Sequence, residues 1–302
     1  HNQPYVLAVD ASGNVYIADR NNDEIRKITA TGEVTTLAGS AGNGPFPGSA
    51  DGIGIAARFN QPLSLAVDTS GNVYVADSQN HKIRKITAAG VVTTIAGSSV
   101  SSLIIDGAGT VARFNNPSGI ALDTAGNLYI SDSDHHVIRK ITTAGIVSTF
   151  AGSGAQGSAD GTGLISLNAP SGIAIDASGN MYVANTDNYK IRKITSAGMV
   201  SSFVGSGAYG NADDIGTTAS FKSPTSIAVD ASGNVYIADT YNHKIRKITA
   251  TGLVSTLAGS GAQGSDDGIG SIASFNTPSS LAIDASGNLY VADRGNHKIR
   301  KV

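Results

Sequence analysis

One pattern is written six times along this chain. The stretch from Pro224 to Ser260, PTSIAVDASGNVYIADTYNHKIRKITATGLVSTLAGS, has counterparts beginning at Pro4, Pro62, Pro117, Pro170 and Pro278. The starts fall 53 to 58 residues apart and occupy the whole 302-residue sequence. Such a period dictates the architecture before any single residue is considered, because each unit buries its apolar surface against another like it. Residues 1–302 therefore read as a single domain.

Within a unit, four short apolar runs alternate with turn chemistry. In the fifth unit they are Ser226–Val229, Asn234–Ala238, Lys244–Ile248 and Leu253–Ala258. β-Branched and aromatic residues dominate them, and each is too short for a helix. Asp230-Ala231-Ser232-Gly233-Asn234 reads as a tight turn, with Asp capping the backbone and Gly supplying positive φ. Each unit is thus expected to be a four-stranded antiparallel meander, with strands a to d in order. Side chains alternate across a strand, so Val235 and Ile237 oppose Tyr236 on strand b, and Ile245 opposes Ile248 on strand c. Both faces are apolar and each sheet needs a neighbour on either side. An all-β, six-bladed β-propeller of four-stranded antiparallel blades meets that need. A linear solenoid is the alternative, but it calls for polar end repeats and neither end unit is polar in that way.

The chain has no cysteine, which excludes a disulfide framework and thiol chemistry. A net charge of −2 argues against a broad nucleic-acid surface, which needs a basic patch. No apolar run approaches the roughly 18 residues of a membrane-spanning helix, so no membrane insertion is expected. The sequence opens on His1 with no signal-peptide pattern, and we expect a processed or excised chain. Little lysine and abundant Gly, Ser, Thr, Ala and Asn point to an extracellular or cell-surface protein.

Asn80-His81-Lys82-Ile83, Asn242-His243-Lys244-Ile245 and Asn296-His297-Lys298-Ile299 each follow an Asp-ended strand b. Each is preceded by Pro-x-x-Ile/Leu-Ala-Val/Ile-Asp and by Gly-Asn-Val/Leu-Tyr. In these motifs the chain resembles the NHL-repeat family of β-propellers, particularly bacterial members with six repeats. The resemblance implies the propeller fold. It leaves function open, because relatives include protein-binding scaffolds, RNA-binding modules and a metal-dependent lyase. Copies 1, 3 and 4 depart from the signature with Asn22-Asp23-Glu24-Ile25, His135-His136-Val137-Ile138 and Asn188-Tyr189-Lys190-Ile191.

In a propeller, strand a lines the axis and strand d the rim. The a–b turns carry Asp10, Asp68, Asp123, Asp176, Asp230 and Asp284 on one face, where capping of their own backbone is favoured over calcium binding. One Tyr per strand b is expected to pack between blades and find a hydroxyl partner. Strand c carries sixteen of the 21 basic residues, expected to pair with the Asp that ends strand b. His81, His136, His243 and His297 share one repeat position, too far apart for one zinc ion, and read as structural turn residues. Axis positions such as Ser64, Ser118, Ser171, Thr225 and Ser279 have no His beside them to act as a base, so no catalytic constellation is expected.

The connectors between blades, on the opposite or top face, are long and differ from one another, which suits functional loops. Each ends in an apolar plug: Phe59, Phe114, Leu167, Phe221 or Phe275. They also bear Asp51, Asp106, Asp160, Asp213 and Asp267, candidate cation ligands that read first as turn formers. Calcium is the cation considered, and no cofactor is expected. Two connectors break the pattern, with Gly44-Pro45-Phe46-Pro47-Gly48 and Val100-Ser101-Ser102-Leu103-Ile104-Ile105. Phe46, Val100, Leu103, Ile104 and Ile105 form the candidate partner-binding patch. Burial of both Leu103 and Ile105 within the monomer would remove it.

The sixth copy ends at Val302 after strand c, without the expected outer strand. An open strand edge is a template for another chain. We expect either that the native chain continues or that a neighbouring molecule donates the strand. The sequence as a whole reads as a non-catalytic binding or scaffold propeller engaging a protein partner or itself. A lyase-like enzyme with a channel-mouth metal and a structural fibre subunit are the alternatives.

Overall fold

A computed structural model describes residues 4–40, 47–100, 102–162 and 165–302. Six antiparallel sheets follow the six copies, with strands a to d of each paired in sequence order. In blade 5, strand a is Pro224–Val229, b is Val235–Asp239, c is Lys244–Ile248 and d is Val254–Ala258. Strand a begins two residues earlier than expected because Pro224 itself pairs with Asp239 across a bulge. A second bulge falls between Ile245 and Arg246 where strand d crosses strand c.

The a–b turns are closed by their Asp, as the spacing predicts. Asp10 Oδ1 accepts the Ser12 and Asn14 N–H groups, each at 2.9 Å. Its Oδ2 accepts Asn14 Nδ2 at 2.7 Å and the Tyr16 hydroxyl at 3.1 Å. Partial burial alone would raise Asp10, yet these hydrogen bonds hold it below its ordinary range. Burial, together with the same carboxylate, pushes Tyr16 up to about 12.

The core lies between blades rather than within them. Phe59, fully buried, joins Tyr16 and Ile25 of blade 1 to Leu65, Val73, Val75 and Ile86 of blade 2. Phe114, Leu167, Phe221 and Phe275 do the same at the next four junctions. The apolar plugs therefore seal the gaps, and two-sided burial explains why one sheet cannot stand alone. The ring closes where blade 1 meets blade 6. There Leu7, Val15 and Ile17 pack on Ala282 and Ala292, and the Leu7 N–H donates to Ser280 Oγ at 3.1 Å. This seam has five buried apolar residues where the other junctions have ten or eleven.

Two features go beyond the four-stranded reading. The connectors run to the rim and add a short fifth strand to blades 2, 3 and 4: Gly52–Ile53, Gly107–Ala108 and Gly161–Thr162. Each pairs with its own blade's strand d, which covers part of an otherwise open edge. Blade 6, in contrast, has three strands: Pro278–Ile283, Leu289–Asp293 and Lys298–Lys301. Among the described residues no helix is long and apolar enough to cross a membrane.

Candidate functional site

The axis is a narrow opening of about 110 Å³ lined by strand a, including Tyr5, Ser64, Ser118, Ser171, Thr225 and Ser279. Four of its hydroxyls are engaged with the next blade. Ser118 Oγ donates to Pro170 O at 3.1 Å, Ser171 to Thr225 O at 3.0 Å, Thr225 to Ser279 O at 3.0 Å, and Ser279 to Tyr5 O at 2.8 Å. Blades approach so closely here that a Cβ on Gly172 would lie 2.6 Å from Ser226 Cα, and one on Gly119 would overlap the Ser171 carbonyl. These hydroxyls build the ring, and none of them has a histidine partner to activate it.

The second cluster recurs in blades 2 to 6, around the arginine of strand c. Arg246 is fully buried. It donates to Asp239 at 2.7 Å, to Asp213 at 2.5 Å, and to the carbonyls of Ala212 and Ser220 at 2.8 and 3.3 Å. Its guanidinium lies 5.3 Å from the Phe221 ring centre. Asp239 is also wholly buried and further accepts the Lys222 N–H and Asn242 Nδ2, each at 2.8 Å. Burial pushes Asp239 upward, against the pull of these donors. In blade 2 the equivalent Asp77 is pushed up to about 6 for the same reason. Blade 4 has a neutral Asn185 at this place, and Arg192 there pairs with Asp160 at 2.8 Å. In blades 2, 3, 5 and 6 one arginine thus ties strand b, strand c and the incoming connector together.

The five connector aspartates proposed as cation ligands all sit at these nodes. Asp51, Asp106, Asp160, Asp213 and Asp267 each face the arginine of their blade at 2.5–2.8 Å. A cation there would compete with a guanidinium already in place. Among the described residues no group of three or more His, Asp or Glu converges on a possible metal position.

The Asn-His-Lys signature acquires a physical meaning. Asn242 Nδ2 bridges Asp239 to the Gly210 carbonyl of the connector. His243 adopts φ of +54° and its Nδ1 accepts the Thr277 N–H of the following connector at 3.0 Å. His81 and His136 hold Asn116 and Ala169 in the same way. Burial holds His81 and His243 below the ordinary histidine range, which keeps the ring nitrogen free to accept. In copy 1 the departure is conservative, since Asp23 Oδ1 accepts the Gln61 N–H at 2.7 Å.

On the top face, Val100, Leu103, Ile104 and Ile105 are all exposed, Leu103 by 65%. The segment is anchored through its backbone: Ile105 O accepts Arg113 N–H at 3.0 Å and Arg139 at 2.8 Å. Phe46, the fifth member of the candidate patch, lies outside the described residues. Sequence reasoning missed a second apolar set on the connectors: Ile53, Ile55, Val111, Ile215, Ile269 and Ile272 are exposed. The Asp-Gly-Ile-Gly at Asp51–Gly54 and Asp267–Gly270 was its signal.

Six radial sheets, closed by hydrogen bonds around a narrow axis, define a β-propeller. The NHL repeat family model matches residues 59–86, 114–141, 221–248 and 275–302. The unmatched units are copies 1 and 4, which carry Asp23 and Tyr189 at the histidine position. The chain is an NHL-repeat β-propeller. It is 30% identical to NHL repeat-containing protein 2 of Bos taurus over 98% of this chain and 46% of that protein. An auxiliary nutrient binding protein from Bacteroides ovatus superposes with a TM-score of 0.74 at 17% identity, covering 99% of this chain and 69% of that one. A virginiamycin B lyase from Staphylococcus aureus superposes with a TM-score of 0.59 at 16% identity, covering all of this chain and 84% of that one. At these identities the solved structures share the fold alone. The chain spans less than half the length of the curated relatives it matches.

Proposed function

We propose that this propeller is a non-catalytic binding scaffold, secreted or at the cell surface, that engages a protein partner through its top face. The observation that carries the reading is the exposure of Val100, Leu103, Ile104 and Ile105, with the Ile105 carbonyl held by Arg113 and Arg139. Clustered apolar exposure on a rigid frame suits an interface. The engaged axial hydroxyls and arginine-paired carboxylates favour binding over chemistry. The Gly-, Ser-, Thr- and Asn-rich composition with little lysine supports the location.

A photo-crosslinking residue at Leu103, with a control at exposed Ile272, tests this in cells that make the protein. The expected result is one crosslinked species from position 103, absent from position 272 and lost when Ile104→Asp is added. Equal labelling at both positions, or none at 103, would overturn the reading.

A further inference from the structure

Ten tyrosines occur in the chain, and six of them repeat at one position of strand b. Three of the other four, Tyr189, Tyr209 and Tyr241, meet where blade 4 joins blade 5. The Tyr189 and Tyr209 rings stand edge to face with centres 6.0 Å apart, and Lys222 Nζ lies 4.8 Å from the Tyr209 ring centre. The Tyr241 N–H donates to the Lys222 carbonyl at 3.2 Å. The backbone beneath these side chains is that of the sibling junctions. Gln156 and Gln263 make the bridge to their apolar plugs that Tyr209 makes to Phe221. Asn115 and Asn276 donate their N–H groups to the Asp ending strand b, as Lys222 does, and accept from Asp134 and Gly295, as Lys222 does from Tyr241. One frame thus carries an aromatic and cationic cluster at this junction and small polar residues at the others.

The cluster is formed at the expense of a structural contact. At every other connector a side chain in the Tyr189 position accepts an N–H of the following connector: Asp23 from Gln61, His81 from Asn116, His136 from Ala169 and His243 from Thr277. Tyr189 keeps the left-handed φ of +53° that those residues share, but its phenol ring has no acceptor at that place. Among the described residues the equivalent Ser223 N–H has no side-chain acceptor. What the junction gains is aromatic surface in water: Tyr209 is 59% and Tyr241 51% exposed, where the strand-b tyrosines pack between blades.

We propose that Tyr189, Tyr209, Tyr241 and Lys222 form a binding site for a β-linked oligosaccharide, whose sugar rings lie on the exposed tyrosine faces. A pyranose in such a chain offers a flat face of C–H groups and a margin of hydroxyls. An exposed tyrosine offers the complement, an apolar ring with a hydrogen-bonding tip. Each of the four side chains carries such a tip, unlike Leu103 and Ile104 of the top-face segment, so the site meets hydroxyls as well as apolar surface. Asp187, exposed on the turn that ends at Tyr189, repels phosphate and disfavours a nucleic acid as the stacked ligand. The site is separate from the Val100–Ile105 segment, which belongs to the connector between blades 2 and 3.

The test is calorimetric titration of the 302-residue protein with the β-1,4-linked hexamers of glucose, xylose, mannose and N-acetylglucosamine. At least one should bind saturably, and Tyr209→Ala and Tyr241→Ala should each weaken it about tenfold. Both side chains are more than half exposed, so their removal leaves the fold intact. Tyr209→Phe keeps the ring face and should keep most of the binding. Tyr189→His should also bind about tenfold more weakly, yet melt at a higher temperature, because it returns an acceptor to the Ser223 N–H. A tyrosine with a purely structural role would not move the two readouts in opposite directions. Leu103→Ser should bind the sugar normally, which separates this site from the top-face segment. Binding of none of the four hexamers, binding indifferent to Tyr209→Ala and Tyr241→Ala, a Tm not raised by Tyr189→His, or a proline-rich peptide or an RNA held here where the sugars are not, would overturn the proposal.

Discussion

Replacing Arg246 by Met separates the two roles that this side chain combines. Methionine keeps apolar bulk beside Phe221 but removes the charge that neutralises Asp239. Asp239 is completely buried and would keep only the Lys222 N–H and Asn242 donors. Breaking a buried pair from one side costs about 3–5 kcal/mol, because the remaining charge is stranded. For a chain of this size that corresponds to a fall of about 10 °C in Tm. The loss should grow with pH, since burial already raises Asp239 and the stranded carboxyl escapes by taking up a proton. Arg300→Met is the internal comparison. Asp293 is buried as well, but Arg300 is 9% exposed and Asp267 lies in solvent, so water can reach the site. We expect a loss of about 1–2 kcal/mol there. Adding Asp239→Asn to Arg246→Met should recover part of the loss, because Asn185 fills this position in blade 4. Urea and thermal unfolding followed by circular dichroism supply the measurement. Equal losses at positions 246 and 300, or a loss below about 1 kcal/mol at 246, would refute the reasoning.

Phe221→Ala should cost about 3–5 kcal/mol, since the ring is completely buried between blades 4 and 5; chemical denaturation reads this directly. Asp10, Asp68, Asp123 and Asp230 all titrate below their ordinary 3.8 when folded, so their contribution is intact above about pH 4 and is lost as pH falls through the folded values. Tm should therefore drop on acidification below pH 4, and Asp68→Asn should flatten that slope. Saturating calcium, followed by chelation, should shift Tm by less than about 1 °C, because Asp51, Asp106, Asp160, Asp213 and Asp267 already hold guanidinium groups. A larger reversible shift would restore a cation role to these loops.

The repeat made the blades legible because strand alternation and Asp-x-x-Gly-Asn turns are local rules. Asp10 closing its own turn and Phe59 sealing a junction followed from spacing and apolar character alone. The node at Arg246 was only half legible. Pairing with Asp239 lies within one blade and could be expected, but Asp213 is 33 residues away and reaches the arginine only because its connector runs out to the rim. No periodicity encodes that excursion. The short outer strands and the exposed Ile53 and Ile269 escaped for the same reason. The role of His243 was invisible because its partner, the Thr277 N–H, belongs to the next unit.

Closure of the ring is the claim on which both faces, the axis and the open edge depend. The amides of Leu7 and Leu281 test it directly, because each donates to a serine of the preceding blade at 3.1 Å, the first across the seam and the second within the ring. Residue-resolved hydrogen exchange should find both protected, within about a hundredfold of each other given the smaller apolar cluster at the seam. A Leu7 amide exchanging like that of an unstructured peptide, beside a protected Leu281, would contradict a closed six-bladed ring.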